Sequence, residues 1–316
     1  MAVGWIMGAW YHLKLTELDR NYMYATITVW CFDRLMRIVR IIYSGVKSNA
    51  DVRFHEGDVV TLKMNYSNRW KHYPGCFVFI YILRPNRFWE SHPFTVMVPP
   101  KPVESNKLQI TFKVKNGLTK HTKDFLFSSC GEELSANIPI LIEGPYGRYH
   151  NLHLYDSVVL IAGGIGVTST YSYAYDLIKN CSNEKQRITF IWYMHDRTPL
   201  DWFSEELDLL RSDSRVTVRI FVKYKELASA SRYVDDSNSG LGEKYFTVVS
   251  QEITATSSDK TEVATLVSEA VSRGDPRIAF LSCGPGRMND DIRFTISKSL
   301  SSSKSRVDYF EESFSW

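Results

Sequence analysis

Ser157-Val158-Val159-Leu160-Ile161-Ala162-Gly163-Gly164-Ile165-Gly166-Val167-Thr168 is the stretch whose reading decides the fold. An unbroken run of β-formers reads as a strand buried on both faces, as in a parallel sheet. The glycines then turn the chain into a helix that runs to about Lys179. Strand, glycine turn and helix together make a phosphate cradle: the backbone can approach closely, and the helix amino terminus attracts negative charge. Working outward, residues 188–193, 216–222 and 277–282 read as further strands, and residues 200–210 and 289–300 as helices. This alternation predicts an open parallel sheet with crossover helices, which binds ligands at the carboxyl ends of its strands. Cys283-Gly284-Pro285-Gly286 ends one such strand, and Trp192-Tyr193-Met194-His195-Asp196-Arg197 ends another. The stretch between Lys223 and Arg273 is polar and rich in Ser, Asp and Thr; within it Asp235-Asp236-Ser237-Asn238-Ser239-Gly240 reads as a mobile surface insertion, to which no chemistry is assigned.

Upstream, residues 46–150 have a different rhythm. Residues 59–64, 76–83, 92–98, 107–114 and 138–142 read as short strands, divided by turn signals at Pro74-Gly75, Pro85-Asn86, Pro99-Pro100 and Asn116-Gly117. Many short strands at close spacing predict a small antiparallel barrel, with residues 119–127 as one helix beside it. Lys113, Lys115 and Gly117-Leu118-Thr119 stand at the strand-to-helix junction. A cation and a helix amino terminus there suit a diphosphate, or are no more than an ordinary capped helix start.

Residues 1–45 differ again. Residues 22–32 carry no charge, and Asp33, Arg34, Arg37 and Arg40 follow at helical spacing. A spanning helix needs about 20 apolar residues, so the uncharged run is short. Extended to Ile42, it would depend on arginines that snorkel to a headgroup layer, which would place that end in the cytoplasm. No basic region precedes the apolar stretch, which argues against a cleavable signal.

Composition narrows the function classes. The net charge of +3 and the lack of a dense basic stripe argue against nucleic acid. Aromatic content of 14% suits a rich core, an interfacial belt or stacking on flat cofactors. Cys31, Cys76, Cys130, Cys181 and Cys283 are odd in number and scattered, which predicts free thiols in a reducing compartment and no metal site.

In order, the chain carries His92-Pro93-Phe94-Thr95, Gly117-Leu118-Thr119, Gly144-Pro145-Tyr146-Gly147, the Gly163 to Thr168 turn, Cys283-Gly284-Pro285-Gly286 and Phe314-Ser315-Trp316. Each is weak alone. Their order and spacing resemble the flavin and nicotinamide half of the ferric reductase / NADPH oxidase family, in particular its fungal ferric-chelate reductases, over nearly the whole chain. The resemblance implies a ferredoxin reductase-like fold: an antiparallel β-barrel FAD domain at 46–150 and an α/β parallel-sheet NAD(P)-binding domain at 151–316. Before them, 1–45 would be a transmembrane-helix remnant.

The resemblance also implies roles. His92, Pro93, Phe94 and Thr95 would line the flavin, with the Thr95 hydroxyl at flavin N5 or O4. Lys113, where the family often has Arg, would hold the FAD diphosphate with Gly117, Leu118 and Thr119. Gly144, Gly147, Gly163, Gly164, Gly166, Thr168, Gly284 and Pro285 would cradle the nicotinamide dinucleotide, and Cys283 would sit beside its reactive ring. Ser169 replaces a proline usual in the family. Where the family has W-x-x-R this chain has His195, so Arg197 is the candidate for the NADPH 2′-phosphate; an exposed loop arginine without a role is the other reading. Phe314 or Trp316, with the terminal Trp316 favoured, would cover the flavin until the nicotinamide displaces it.

Trp30-Cys31-Phe32-Asp33-Arg34-Leu35-Met36-Arg37-Ile38-Val39-Arg40 resembles the end of the family's last transmembrane helix, and Trp10-Tyr11-His12-Leu13 the end of the helix before it. Of four axial histidines in the family at most His12 is present, so the haem b of full-length members is expected to be missing. The implied reaction takes hydride from NADPH to FAD and passes electrons singly to a ferric chelate, at a membrane (the plasma membrane) with both nucleotide domains facing the cytoplasm. A superoxide-producing oxidase, a soluble NADPH diaphorase and a non-catalytic truncated product are the alternatives; Asp33-Arg34-Leu35 and Ser315-Trp316 favour the metalloreductase branch.

Overall fold

A computed structural model of the chain describes residues 2–16, 21–45, 48–67, 69–83, 87–100, 107–114, 123, 125, 127, 135–181, 183–195, 197–224, 244–249, 252–256, 259–300 and 304–312. Gly117, Leu118, Thr119, Phe314 and Trp316, and the stretch from Asp235 to Gly240, lie outside the described residues.

Six strands form the first sheet: β1 (Ser48–His55), β2 (Val59–Asn65), β3 (Phe77–Ile82), β4 (Ser91–Thr95), β5 (Lys107–Lys113) and β6 (Ser135–Tyr146). Their order is β4-β3-β6-β1-β2-β5, and every named pair is antiparallel. Just past β4, Met97 and Gln109 exchange both backbone hydrogen bonds, at 2.9 and 2.8 Å, and so bring the two end strands together. The barrel closes there, which leaves no long free edge. Alternation fills its interior: Ala50 and Val52 of β1, Val78 and Ile80 of β3, and Leu108 and Ile110 of β5 are all buried. Strand β1 was not among the sequence-read segments, because only every second residue is apolar.

The second sheet has β7 (Ser157–Gly163), β8 (Arg187–Met194), β9 (Val216–Tyr224), β10 (Lys244–Val249), β11 (Glu252–Thr256), β12 (Arg277–Cys283) and β13 (Arg306–Glu311). The order is β11-β10-β9-β8-β7-β12-β13. Strands β9, β8, β7, β12 and β13, neighbours in that order, pair in parallel. Strands β10 and β11 add an antiparallel edge, so the sheet is mixed rather than wholly parallel. They lie in the polar stretch 223–273, where sequence reading named no strand or helix, as does a helix over Asp259–Ser272, whose Val263, Val267 and Ala270 enter the core.

All seven residues of β7 are buried because helices cover both faces of the sheet. Leu160, Ala162 and Trp192 pack on one face, and Val159, Ile161 and Ile191 on the other. The helix after the glycine turn spans Val167–Asn180 and begins normally despite Ser169. Its sequence, rich in Thr, Ser and Tyr, has modest helix propensity. Burial of Tyr171, Tyr173, Ala174 and Leu177 holds it instead.

At the amino terminus, α1 (Ala2–Thr16) and α2 (Asn21–Ser44) precede the barrel. Trp5, Met7, Tyr11, Val29 and Phe32 are exposed on them. No helix among the described residues is long and apolar enough to cross a membrane. Cys31, Cys76, Cys181 and Cys283 are free thiols.

Candidate functional site

The glycine turn and the end of β12 meet backbone to backbone. Strands β7 and β12 are neighbours, with Ala162 opposite Cys283. A Cβ added to Gly163 would lie 2.8 Å from Pro285 Cδ, and one added to Gly166 would run into the Cys283 carbonyl. Only glycine permits this approach, so Gly163, Gly166, Cys283, Gly284 and Pro285 form one cradle. Trp192 at the end of β8 props the turn from behind, donating from Nε1 to the Gly164 carbonyl at 2.9 Å. The Thr168 hydroxyl donates to the Ile165 carbonyl at 3.1 Å and closes the first helical turn.

Strand β4 brings His92-Pro93-Phe94-Thr95 to the same region. Its five residues are all half-buried, unlike the alternating strands around it. Register places His92 and Phe94 opposite Ile80 and Val78, on the barrel's inner face, and Pro93 and Thr95 opposite Phe79 and Phe77, on its outer face. The Phe94 ring packs on Phe112 with centroids 4.7 Å apart. One residue on, the Val96 carbonyl accepts from Ser172 Oγ at 3.0 Å and faces His72 Nε2 at 3.2 Å. Ser172 belongs to the helix that starts at the glycine cradle. That bond ties the His92–Thr95 strand to the cradle.

A group of titratable residues lines the other side of Cys283. The Glu312 backbone N–H donates to the Ser282 carbonyl at 2.9 Å. Its carboxylate accepts from Tyr173 OH at 2.9 Å and lies 3.7 Å from His150 Nε2. Burial pushes the Glu312 carboxyl up to about 7, against a partial offset from the Tyr173 hydrogen bond. Burial, and then the nearby Glu312, push the Cys283 thiol up to about 12, so it is a neutral, polarisable surface and not a thiolate. Sequence reasoning gave no role to Glu312, His150 or Tyr173, and quoted Trp192 only as part of a strand-end motif. The first three are far apart in sequence, and no local pattern marks them.

Other sequence-read residues stand apart. Lys113 is exposed at the end of β5, opposite Val59. His195 and Arg197 are exposed just beyond β8. The Gly144 carbonyl accepts from Ser44 Oγ at 3.0 Å, and Gly147, at φ 112°, accepts from Tyr73 OH at 3.3 Å. No cluster of His, Cys, Asp or Glu among the described residues could hold a metal ion.

A closed antiparallel barrel joined to a doubly wound sheet, with a glycine cradle at the seam, defines a flavin- and nicotinamide-binding module of the ferredoxin reductase-like class. Solved structures share that fold. The flavohaem-like FAD/NAD binding domain of nitric oxide dioxygenase from Vibrio cholerae aligns over 85% of this chain and 99% of its own, with a TM-score of 0.52 at 14% identity. Ferredoxin-NADP+ reductase from Plasmodium falciparum, solved with 2′P-AMP, aligns over 84% and 96%, with a TM-score of 0.51 at 12% identity.

The FAD-binding domain family matches residues 44–150, and the ferric reductase NAD binding domain family matches residues 155–297. A probable ferric reductase transmembrane component from Candida albicans is 31% identical over 100% of this chain and 48% of its own length. Ferric reductase transmembrane component 5 from Saccharomyces cerevisiae is 28% identical over 100% of this chain and 45% of its own. The chain carries an FAD-binding domain and a ferric reductase NAD binding domain, resembles fungal ferric reductases over its full length, and has FAD and a nicotinamide dinucleotide as its cofactors. It spans about half the length of the relatives it matches.

Proposed function

We propose that this chain is the electron-input module of a membrane-associated oxidoreductase that takes electrons from NADPH through FAD to ferric iron chelates. The observation that carries this reading is the joint between two sites: the strand of His92 to Thr95 is tied through Val96 and Ser172 to the glycine cradle at Cys283. The relatives named as ferric reductases support the acceptor class.

The residues present fit the two cofactors. The cradle at Gly163 and Gly166 has no room for a Cβ, and its backbone with the helix amino terminus at Val167 suits a pyrophosphate. His92, Pro93, Phe94 and Thr95 would hold the flavin ring, with the Thr95 hydroxyl as its hydrogen-bonding partner. Lys113, Gly117, Leu118 and Thr119 would take the FAD diphosphate. Gly144, Gly147, Gly164, Thr168, Gly284 and Pro285 complete the nucleotide contacts, and Arg197 offers the charge for a 2′-phosphate. FAD, when bound, accepts a hydride and releases electrons one at a time, which is why a pyridine nucleotide can feed a one-electron acceptor.

The chain's own groups orient and shield. Cys283, neutral and buried, presses a soft side chain toward the nicotinamide ring without offering a competing nucleophile. Trp316, with Phe314, covers the flavin when no nicotinamide is present and so keeps water off it. Residues 1–45 hold the module at a membrane, the plasma membrane, with both nucleotide domains on the cytoplasmic side; the exposed aromatic and aliphatic side chains of α1 and α2 support that placement.

The direct test is NADPH-dependent reduction of a ferric chelate by the purified chain, with Thr95→Ala and Gly166→Ala as controls that impair the two nucleotide sites separately.

A further inference from the structure

Helix α2 reaches the barrel through its last two turns, and a buried carboxylate lies at the point of contact. Glu143 on β6 has 0% side-chain exposure. Its Oε2 accepts from Tyr81 OH at 2.5 Å and its Oε1 from Tyr146 OH at 2.6 Å. Both phenols supply hydrogen bonds but no charge; burial, and then the carboxylate they donate to, push them up and keep them protonated. The balancing charge comes from α2, where Arg37 Nη1 lies 3.7 Å from Oε1 while its Nε pairs with Asp33 Oδ2 on the same helix at 3.3 Å.

The surrounding contacts are of the same kind. The Arg37 guanidinium lies 5.9 Å from the Phe79 ring centroid, and that of Arg40 lies 4.6 Å from the Tyr146 centroid. Ser44 donates to the Gly144 carbonyl, and Tyr43 to that of Arg69. Leu35, Ile38, Val39 and Ile42 of the same helical stretch remain exposed, at 46–57%. Charge, stacking and hydrogen bonds join helix to barrel, and the helix keeps its aliphatic residues for something else. A carboxylate so buried is costly to desolvate unless a cation compensates it.

We propose that Glu143 is a positioning residue whose carboxylate charge seats the basic end of α2 on the outer face of β3 and β6, fixing how the helix pair leaves the flavin domain. The segment Glu143-Gly144-Pro145-Tyr146 then serves α2 as a receptor: Glu143 takes Arg37, Gly144 takes Ser44 and Tyr146 takes Arg40. The inference stands on these contacts and does not depend on the acceptor.

Amide hydrogen exchange of the full chain in detergent, compared with Glu143→Gln, Arg37→Met and the double variant, tests it. Each single variant is expected to speed exchange across residues 37–45 about tenfold, with the double variant no faster than Arg37→Met, which removes the shared interaction together with the Asp33 pair. Amides of β3 and β6 are expected to stay as protected as before. Unchanged exchange at 37–45 in Glu143→Gln, acceleration spread equally over β3 and β6, or additive effects would each overturn the proposal. Should Glu143→Gln fail to fold, Arg37→Met is compared with Asp33→Asn, which breaks only the pairing within the helix: faster exchange at 37–45 in Arg37→Met than in Asp33→Asn supports the seat, and equal exchange overturns it.

Discussion

The Ser172 hydroxyl donates to the Val96 carbonyl at 3.0 Å, joining the strand of His92 to Thr95 to the helix that opens at Gly166. It also donates to the Thr168 carbonyl at 3.0 Å, so it is shared between its own helix and the other domain. Ser172→Ala removes the inter-domain bond and leaves the buried Val96 carbonyl with His72 alone. We expect a loss of about 1 kcal/mol of stability and slower flavin reduction by NADPH at unchanged flavin content. Thermal unfolding and stopped-flow absorbance check the two parts.

Gly166→Ala drives a methyl group into the Cys283 carbonyl. The two strand ends must separate, which spoils the pyrophosphate cradle. The expected result is nicotinamide KM raised by at least tenfold with FAD retained, because the barrel is untouched. Titration with nicotinamide nucleotide and flavin fluorescence distinguish this from global unfolding.

Glu312 makes stability pH-dependent in a defined direction. Burial holds its folded-state value up to about 7, against an ordinary 4.5. Below about pH 4.5 the carboxyl is protonated in both states. As pH rises from there to about 7, the unfolded chain releases the proton and the folded chain keeps it, so stability is lost across that window. Glu312→Gln should flatten this slope relative to the parent chain, as measured by unfolding at a series of pH values. A slope identical in both proteins would place the titration elsewhere.

The parallel sheet was legible because strands such as β7, buried on both faces, run from Val158 to Ala162 without a polar residue. Strand β1 was not, since Ser48-Asn49-Ala50-Asp51-Val52-Arg53 spends every second position on solvent. The helix over Asp259–Ser272 carries Val263, Leu266, Val267 and Ala270 at helical spacing, a readable signal hidden by Ser- and Thr-rich surroundings. The glycine cradle was visible as a motif, but its cause was not: Gly166 is required by the carbonyl of Cys283, more than a hundred residues away. Glu312 and Glu143 carry no local signal of burial, because Glu312 is enclosed with Tyr173 and Glu143 with Tyr81 from distant elements, Tyr146 on the same strand adding a second hydrogen bond to Glu143.

Arg197 is exposed beyond the end of β8, where a charge could meet a 2′-phosphate. Arg197→Ala should raise the KM for NADPH while leaving that for NADH in place. Loss of a charge-assisted contact is worth about 1.5–3 kcal/mol. Equal effects on both nucleotides would remove Arg197 from the site and direct attention to His195.

The proposed function requires that one chain hold FAD and pass NADPH electrons to it. Anaerobic mixing of the flavin-loaded chain with NADPH, followed by absorbance near the oxidised flavin band, tests it most directly. Bleaching is expected within the dead time to seconds, and return of the band when a ferric chelate is added. A folded chain that binds no flavin at micromolar concentration, or whose bound flavin stays oxidised with NADPH in excess, would contradict it.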